Sequence, residues 1–208
     1  EAVLRLKPDL VVAWQSGTPA ETIQRLRRFG VAVFISEPRT LEAIAGNMER
    51  LARLAGSESQ GREAADRFRA RITALGEQYR ERGPVTVFYQ IWHDPLITVN
   101  GDHVISEVLR LCGGRNIFAG LSGIAPQVDT EAVLARNPMA IIASGRVAGE
   151  PEWLTRWQRW PALRAVQNGA IYAVNPDWIQ RATPRIAKGA QAICEDLEQA
   201  READAAAR

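Results

Sequence analysis

Tryptophan is the residue type through which this sequence is best equipped to bind a ligand. The chain has 6 tryptophans in 208 residues, and Trp14, Trp92 and Trp178 stand where predicted strands end. In parallel α/β sheets, ligands bind outside the carboxyl ends of strands, so these three side chains could face one cleft. A large flat apolar ring with a single N–H group suits a bulky planar ligand. The alternative is that each indole only fills the hydrophobic core of the part of the protein to which it belongs.

The sequence has few groups suited to catalysis. It contains no GxGxxG, GxxxxGK[ST] or GxSxG pattern, so dinucleotide, phosphate-loop and nucleophile-elbow enzymes are disfavoured. The only histidines are His93 and His103. His93 with Asp94 is the best catalytic candidate, but adjacent side chains rarely converge on one atom, and we expect a polar loop rim. The sequence therefore favours a binding protein over an enzyme.

Several charged residues stand near the starts of predicted helices. Arg181 and Arg185 precede the last helix, where a guanidinium could reach an acidic or amide-bearing ligand or could pair with a surface carboxylate. Glu21 and Glu152 lie near helix N-termini, where a solvated carboxylate is favoured. Alone, these residues indicate no function.

The two cysteines, Cys112 and Cys194, show no metal-ligand spacing such as CxxC and are too few for a disulfide scaffold. They could form one long-range bridge or remain as two buried thiols. The 26 basic and 24 acidic residues give a net charge of +2, which provides no field to attract nucleic acid.

The elements that would position these residues follow an α/β pattern. Apolar runs at residues 10–14 and 31–35 predict parallel strands, the first of them buried on both faces. Between them lies a helix that Thr18 would cap, and Thr40 would cap a helix reaching residue 55. Two strands make a poor sheet, so we expect the first lobe to be incomplete.

A long amphipathic helix over residues 59–82, ended by Gly83-Pro84, separates this lobe from a second one. The second lobe is predicted from strands at 85–90, 140–143 and 170–174, loops at 91–95 and 175–183, helices at 103–112, 129–136 and 152–159, and a final helix from Pro184. The predicted fold is α/β with two lobes built on parallel sheets. Its division is a partial N-terminal lobe at 1–56, a connecting helix at 57–83 and a C-terminal lobe at 84–208.

Two sequence runs connect the chain to a known family. The runs CGGRNIF at 112–118 and DWIQRATPR at 177–185 resemble the cobalamin branch of the helical-backbone solute-binding proteins, which carry ferric siderophores, haem and corrinoids for ABC importers. The run LKPDLVVAW at 6–14 is similar to the wider superfamily.

The resemblance implies two Rossmann-like lobes joined by the long helix, with cobalamin or a related corrinoid bound between them. It implies a periplasmic monomer that delivers this ligand to an ABC permease, touches the membrane only through that permease, and has no nucleic-acid partner. It also implies a protein without catalysis and without a cofactor or metal of its own, since the corrinoid is cargo.

Particular residues acquire roles from the same resemblance. The ligand site would comprise Trp14, Trp92, Asp177, Trp178, Ile179, Gln180 and Arg181. Glu21 and Glu152 would each present a carboxylate to permease arginines. Cys112 and Cys194 would form a disulfide that ties the helix ending at Cys112 to the final helix. Ile179 and Gln180 depart from the family pattern, which has an aromatic and an acidic residue at these positions.

Two other functions stay open at this point. The same fold could carry haem or a ferric siderophore, for which His93 is the one candidate iron ligand. An α/β enzyme with a site between the lobes is the other alternative, and it would also depend on His93.

Overall fold

A computed structural model describes residues 2–14, 16–145 and 152–207, apart from the side chains of Glu152 and Trp153. The chain forms two compact units, Glu1–Pro38 and Arg39–Arg208. Both units combine helices with parallel strands, which confirms the predicted α/β class. In the described part of the chain, no helix is both long and apolar enough to cross a membrane.

The first unit is a short β-α-β arrangement preceded by a helical turn. Its elements are α1 (Ala2–Arg5), β1 (Leu10–Ala13), α2 (Ala20–Arg28) and β2 (Ala32–Ile35). β1 and β2 pair in parallel, with Leu10 opposite Ala32. α2 is amphipathic and buries Ile23 and Leu26, so its apolar stripe forms the small core of this unit.

Two sequence predictions are wrong in the first unit. β1 is not buried on both faces, because Val12 is 52% exposed; a two-stranded sheet beside one packed helix leaves part of its surface open. Thr18 does not cap α2 either. Its backbone N–H donates to the carbonyl of Trp14 at 2.8 Å, and Pro19 occupies the N-cap position without a side-chain hydrogen bond.

The second unit is built on a four-stranded parallel sheet with the order β6-β3-β7-β8. These strands are Gly114–Asn116, Val85–Gln90, Ala140–Ser144 and Ile171–Val174, in that order. Alternate residues of the central strands enter different cores: Val87 and Tyr89 join one cluster, and Phe88 joins the other. The sheet is therefore covered on both faces, which is why its central strands are continuous apolar runs.

The helices of the second unit cover these two faces. They are α3 (Leu41–Leu54), α4 (Glu58–Tyr79), α5 (Val104–Leu111), α6 (Thr130–Arg136), α7 (Glu152–Thr155), α8 (Arg164–Gln167), α9 (Pro176–Ile179) and α10 (Ile186–Ala206), with a 3₁₀ turn at Arg156–Arg159. As predicted, Thr40 caps α3, and its hydroxyl accepts from the backbone N–H of Ala43 at 3.0 Å.

Some short elements were not predicted. The segment expected to be a loop at 91–95 belongs to an antiparallel hairpin of β4 (Trp92–His93) and β5 (Leu96–Ile97). Strand β6 and the one-turn helices α8 and α9 were also missed. Each has only two to four residues, which is too short for a hydrophobic period to be recognised.

The disulfide between Cys112 and Cys194 is present, as the family resemblance implied. It joins the residue that ends α5 to the middle of α10, and both cysteines are fully buried. Arg201 of α10 reinforces the same junction, because its guanidinium donates to the carbonyls of Cys112 at 2.5 Å and Gly83 at 2.6 Å. α10 is thus fixed to α5 by both covalent and polar links.

The contact between α3 and α4 generates a stability prediction. A Cβ added at Gly61 would overlap the Cβ of Ala52, so Gly61→Ala should force the helices apart and lower the free energy of unfolding by about 1–3 kcal/mol. Gly46→Ala in α3 is the matched control, because the nearest atom is Arg50 Nη1 at 3.7 Å and alanine is the better helix former. Urea denaturation measures both, and equal stability of the two variants would contradict the prediction.

A second prediction concerns pH. Nδ1 of His103 accepts the backbone N–H of Ile105 at 3.1 Å and caps α5, and burial lowers the pKa of this imidazole. The folded-state pKa lies below the unfolded value, so protonation favours unfolding and stability is lost as the pH falls from about 7 to 5. His103→Asn keeps a capping acceptor but does not titrate. The melting temperature of the variant should therefore fall less than that of the wild type as the pH is lowered over this range. An equal fall in melting temperature for the two proteins would contradict the prediction.

Candidate functional site

The carboxyl edge of the four-stranded sheet gathers the candidate residues of the second unit. Trp92 follows β3, and α9 follows β8. Because all four strands are parallel, both segments leave the sheet at one edge. β7 lies between β3 and β8, so the two strand ends are about 10 Å apart. This edge is where open α/β sheets bind ligands.

Trp92 is held in a defined orientation by the β4–β5 hairpin. Its indole N–H donates to the carbonyl of Asp94 at 2.9 Å, and its ring contacts the His93 ring with centroids 5.0 Å apart. The side chain is nonetheless 51% exposed. Since the polar N–H group is already satisfied, Trp92 offers mainly an apolar face to a ligand.

A neighbouring segment adds an exposed apolar residue that the sequence did not indicate. Residues 124–128 run beside the hairpin, with the N–H of Asn100 donating to the carbonyl of Ile124 at 3.1 Å and the N–H of Val128 to that of Leu96 at 3.0 Å. Ile124 is 40% exposed. A single isoleucine in an irregular segment gives no sequence signal, so only the structure identifies it as an apolar surface residue.

α9 presents polar groups on its outer face. Asn175 caps this turn, with its side-chain oxygen accepting from the N–H of Asp177 at 2.9 Å. Asp177, Gln180 and Arg181 are exposed and Trp178 is half-buried. Asp177 and Gln180, which are three residues apart, lie on one side of this turn, and Arg181 follows its C-cap residue, Gln180.

Ile179, predicted for the ligand site, lies on the opposite side of that turn. Its side chain is fully buried. It belongs to the core cluster that contains Val87, together with Ile186 and Ile193 of α10. The structure therefore gives Ile179 a packing position under the site, because an isoleucine facing α10 stabilises the turn by burying apolar surface.

Trp14 follows β1 in the first unit and is 62% exposed. The loops after β1 and β2 are joined by Glu37, whose carboxylate accepts from the Ser16 backbone N–H at 3.0 Å and the Ser16 hydroxyl at 3.2 Å. Gly17 lies against the indole, and a Cβ there would overlap the six-membered ring. The turn thus holds the Trp14 ring in contact with its own backbone.

Of the two carboxylates predicted for permease contact, the structure describes the side chain of Glu21 but not that of Glu152. Glu21 is exposed in the first turn of α2, and its carboxylate lies 3.9 Å from the guanidinium of Arg25. Such an exposed pair contributes little stability. Glu152 begins α7, but its side chain lies outside the described part of the chain.

A buried polar network supports the sheet edge and was also missed. The hydroxyls of Tyr89 and Ser144 are 2.6 Å apart, and the hydroxyl of Thr98 donates to the Tyr89 carbonyl at 2.7 Å. Gln90 accepts the indole N–H of Trp157 at 2.8 Å. Burial raises the pKa of the Tyr89 phenol, so it stays neutral. These bonds link the ends of β3 and β7 to the hairpin and fix the base of the site.

The residues at the carboxyl edge of the second unit are suited to non-covalent binding. The site offers apolar rings, one carboxylate, one amide and one guanidinium, which can contact a flat ligand and hydrogen-bond its periphery. Among the described residues, no group of three His, Cys, Asp or Glu side chains is placed to hold a metal ion. His93 is half-buried in β4 beside Trp92.

Comparison with known proteins finds relatives of this chain. A family model described as a periplasmic binding protein matches residues 1–178. The vitamin B12-binding protein of Vibrio parahaemolyticus serotype O3:K6 is 38% identical over 198 residues, covering 95% of this chain and 71% of that protein. The vitamin B12-binding protein of Vibrio cholerae serotype O1 (strain M66-2) is 39% identical over 199 residues, with 95% and 71% covered.

Solved structures give a consistent result. The crystal structure of the periplasmic vitamin B12 binding protein of Vibrio cholerae matches with a TM-score of 0.85 and 39% identity, covering 96% of this chain and 78% of that one. A periplasmic heme-binding protein from Roseiflexus sp. RS-1 also has a TM-score of 0.85, covering 96% and 79%, but at 20% identity. The second likeness concerns the fold alone.

The turn at Gly17 yields a prediction for the site. Gly17→Ala should displace the Trp14 indole while changing the melting temperature little, because the ring is largely exposed and contributes little core burial. The indole N–H resonance of Trp14, assigned with Trp14→Phe, should shift in the NMR spectrum. Gly120→Ala is the control, since a Cβ there meets no atom within 4 Å. An unmoved Trp14 resonance in Gly17→Ala would contradict the described packing.

Proposed function

The chain belongs to the family of periplasmic binding proteins, and on that premise we propose that it is the substrate-binding component of an ABC importer for cobalamin or a related corrinoid. The observation that carries the proposal is the likeness of nearly the whole chain, in sequence and in fold, to vitamin B12-binding proteins. The heme-binding neighbour shares the fold at much lower identity, so it supports no haem-binding function for this chain.

The chemistry of the candidate site suits a corrinoid. A corrin ring is broad and flat, and its edge carries amide side chains. Exposed indoles such as Trp92 can cover the apolar part of the ring. Arg181 can donate to amide carbonyls, Asp177 can accept from amide N–H groups, and Gln180 can do both. We propose Trp14, Trp92, Asp177, Trp178, Gln180 and Arg181 as ligand contacts, with Ile179 supporting them from the core.

The remaining roles follow from the same proposal. The corrinoid is cargo, so the protein needs no cofactor and catalyses no reaction. It would work in the periplasm and deliver the ligand to a permease, with Glu21 and Glu152 as the docking carboxylates. We retain the proposed division into an N-terminal part at 1–56, a connecting helix at 57–83 and a C-terminal lobe at 84–208.

Ligand titration tests the function directly. Isothermal titration with cyanocobalamin should give saturable 1:1 binding, and haemin and a ferric hydroxamate at the same concentrations should bind much more weakly. The absence of cyanocobalamin binding at micromolar concentration would contradict the proposal. Tight binding of haemin in its place would support the alternative cargo.

A matched pair of aromatic substitutions locates the site. Trp92→Ala removes an exposed ring at the carboxyl edge of the sheet and should raise the Kd for cyanocobalamin by about tenfold or more, since tryptophan contacts often dominate binding. Phe29→Ala removes a ring that is 64% exposed at the end of α2, just before the amino end of β2 and not at a carboxyl end, and should leave the Kd unchanged. Equal effects of the two substitutions would argue against the proposed site.

A further inference from the structure

We infer that Gly189 of α10 is a positioning residue for the ligand: the absence of a side chain there lets α9 seat deeply enough to fix the direction of Trp178, Gln180 and Arg181. The inference depends on the proposed function, because these three residues are among the proposed corrinoid contacts. It concerns a residue that itself touches no ligand.

The packing of α9 on α10 leaves no room for a larger residue. Gly189 is buried, and a Cβ built on it would lie 3.1 Å from Cδ1 of Ile179, 3.2 Å from the carbonyl oxygen of Trp178 and 3.3 Å from Cβ of Ile179. Optimal separations between such atoms are about 3.5–4.0 Å. Alanine would therefore push α9 away from α10 by a few tenths of an ångström.

α9 cannot resist that push by its own stability. It has only 4 residues, and helices of this length do not persist without tertiary contacts. Its orientation is set by the Asn175 cap on one side and by burial of Ile179 on the other. Movement of Ile179 is thus transmitted to Gln180, which caps this turn, and to Arg181, which follows it.

α10 itself does not yield easily. It is a 21-residue helix, its Cys194 is joined to Cys112, and Arg201 donates to the carbonyls of Cys112 and Gly83. Because α10 is fixed at several points and α9 at two, the strain from a methyl group at position 189 is relieved mainly by movement of α9.

The substitution should weaken ligand binding while leaving the stability of the protein nearly unchanged. Alanine has a higher helix propensity than glycine, which offsets the tight contacts, so the melting temperature of Gly189→Ala should stay close to that of the wild type. Ligand affinity should fall, because the contacts on α9 are no longer pre-organised. A residue with only a structural role would not separate these two measurements.

Three glycine variants make the test specific. Gly189→Ala should raise the Kd for cyanocobalamin by about three- to tenfold. Gly76→Ala places a methyl group 2.9 Å from Cδ1 of Leu111 in another helix contact, and Gly46→Ala has only Arg50 nearby; both should leave the Kd within about twofold of wild type. A Kd for Gly189→Ala within the same twofold, or an equal loss in Gly76→Ala, would overturn the inference.

A measurement without ligand separates this inference from the proposed function. In ¹H–¹⁵N NMR spectra, Gly189→Ala should shift the backbone amides of Asp177, Gln180 and Arg181 and the indole N–H of Trp178, and Gly46→Ala should shift none of them. If the wild-type protein binds no cyanocobalamin, the proposed function fails while these shifts still test the positioning. Unchanged amide resonances at 177–181 in Gly189→Ala would refute it.

Discussion

The parallel pairing of β3, β7 and β8 is the constraint on which the candidate site of the second unit depends. Segments that follow parallel strands leave the sheet at one edge, so Trp92 and α9 lie at the same edge although they are far apart in sequence. The pairing is stable because both faces of the sheet are covered, by the core that contains Val87 and by the core that contains Phe88. The buried parallel sheet therefore both stabilises the second unit and determines where the candidate site lies.

The segments at this edge are short, and each is fixed by interactions that its own length cannot provide. The hairpin is anchored by Thr98, which bonds to the Tyr89 carbonyl, and by the bond from the Ile91 N–H to the Ile97 carbonyl at 2.8 Å. α9 is anchored by its Asn175 cap and by Ile179 in the core. Rigid supports of this kind reduce the entropy lost when a ligand binds, which favours affinity without additional contacts.

α10 connects stability with the site. Its buried residues form much of the main core, and Asp204 near its end is paired with Arg164 at 2.5 Å. Asn168 donates to the same carboxylate at 3.2 Å, so the buried charge is satisfied, as burial requires. The same helix provides the surface on which α9 packs. Its many fixed points make it a stable base for residues that are themselves exposed.

The sequence by itself determined the α/β class, the long strands and helices, and the residues after β3 and β8 as candidates, because long periodic segments and strand ends have clear signatures. It also carried the family resemblance that pointed to the Cys112–Cys194 bridge. Only the tertiary structure decided that Ile179 faces the core while Gln180 faces outward, that Ile124 is exposed, and that residues 91–97 form a hairpin. These features depend on contacts between segments distant in the chain, and local propensity over two to four residues is too weak to determine them.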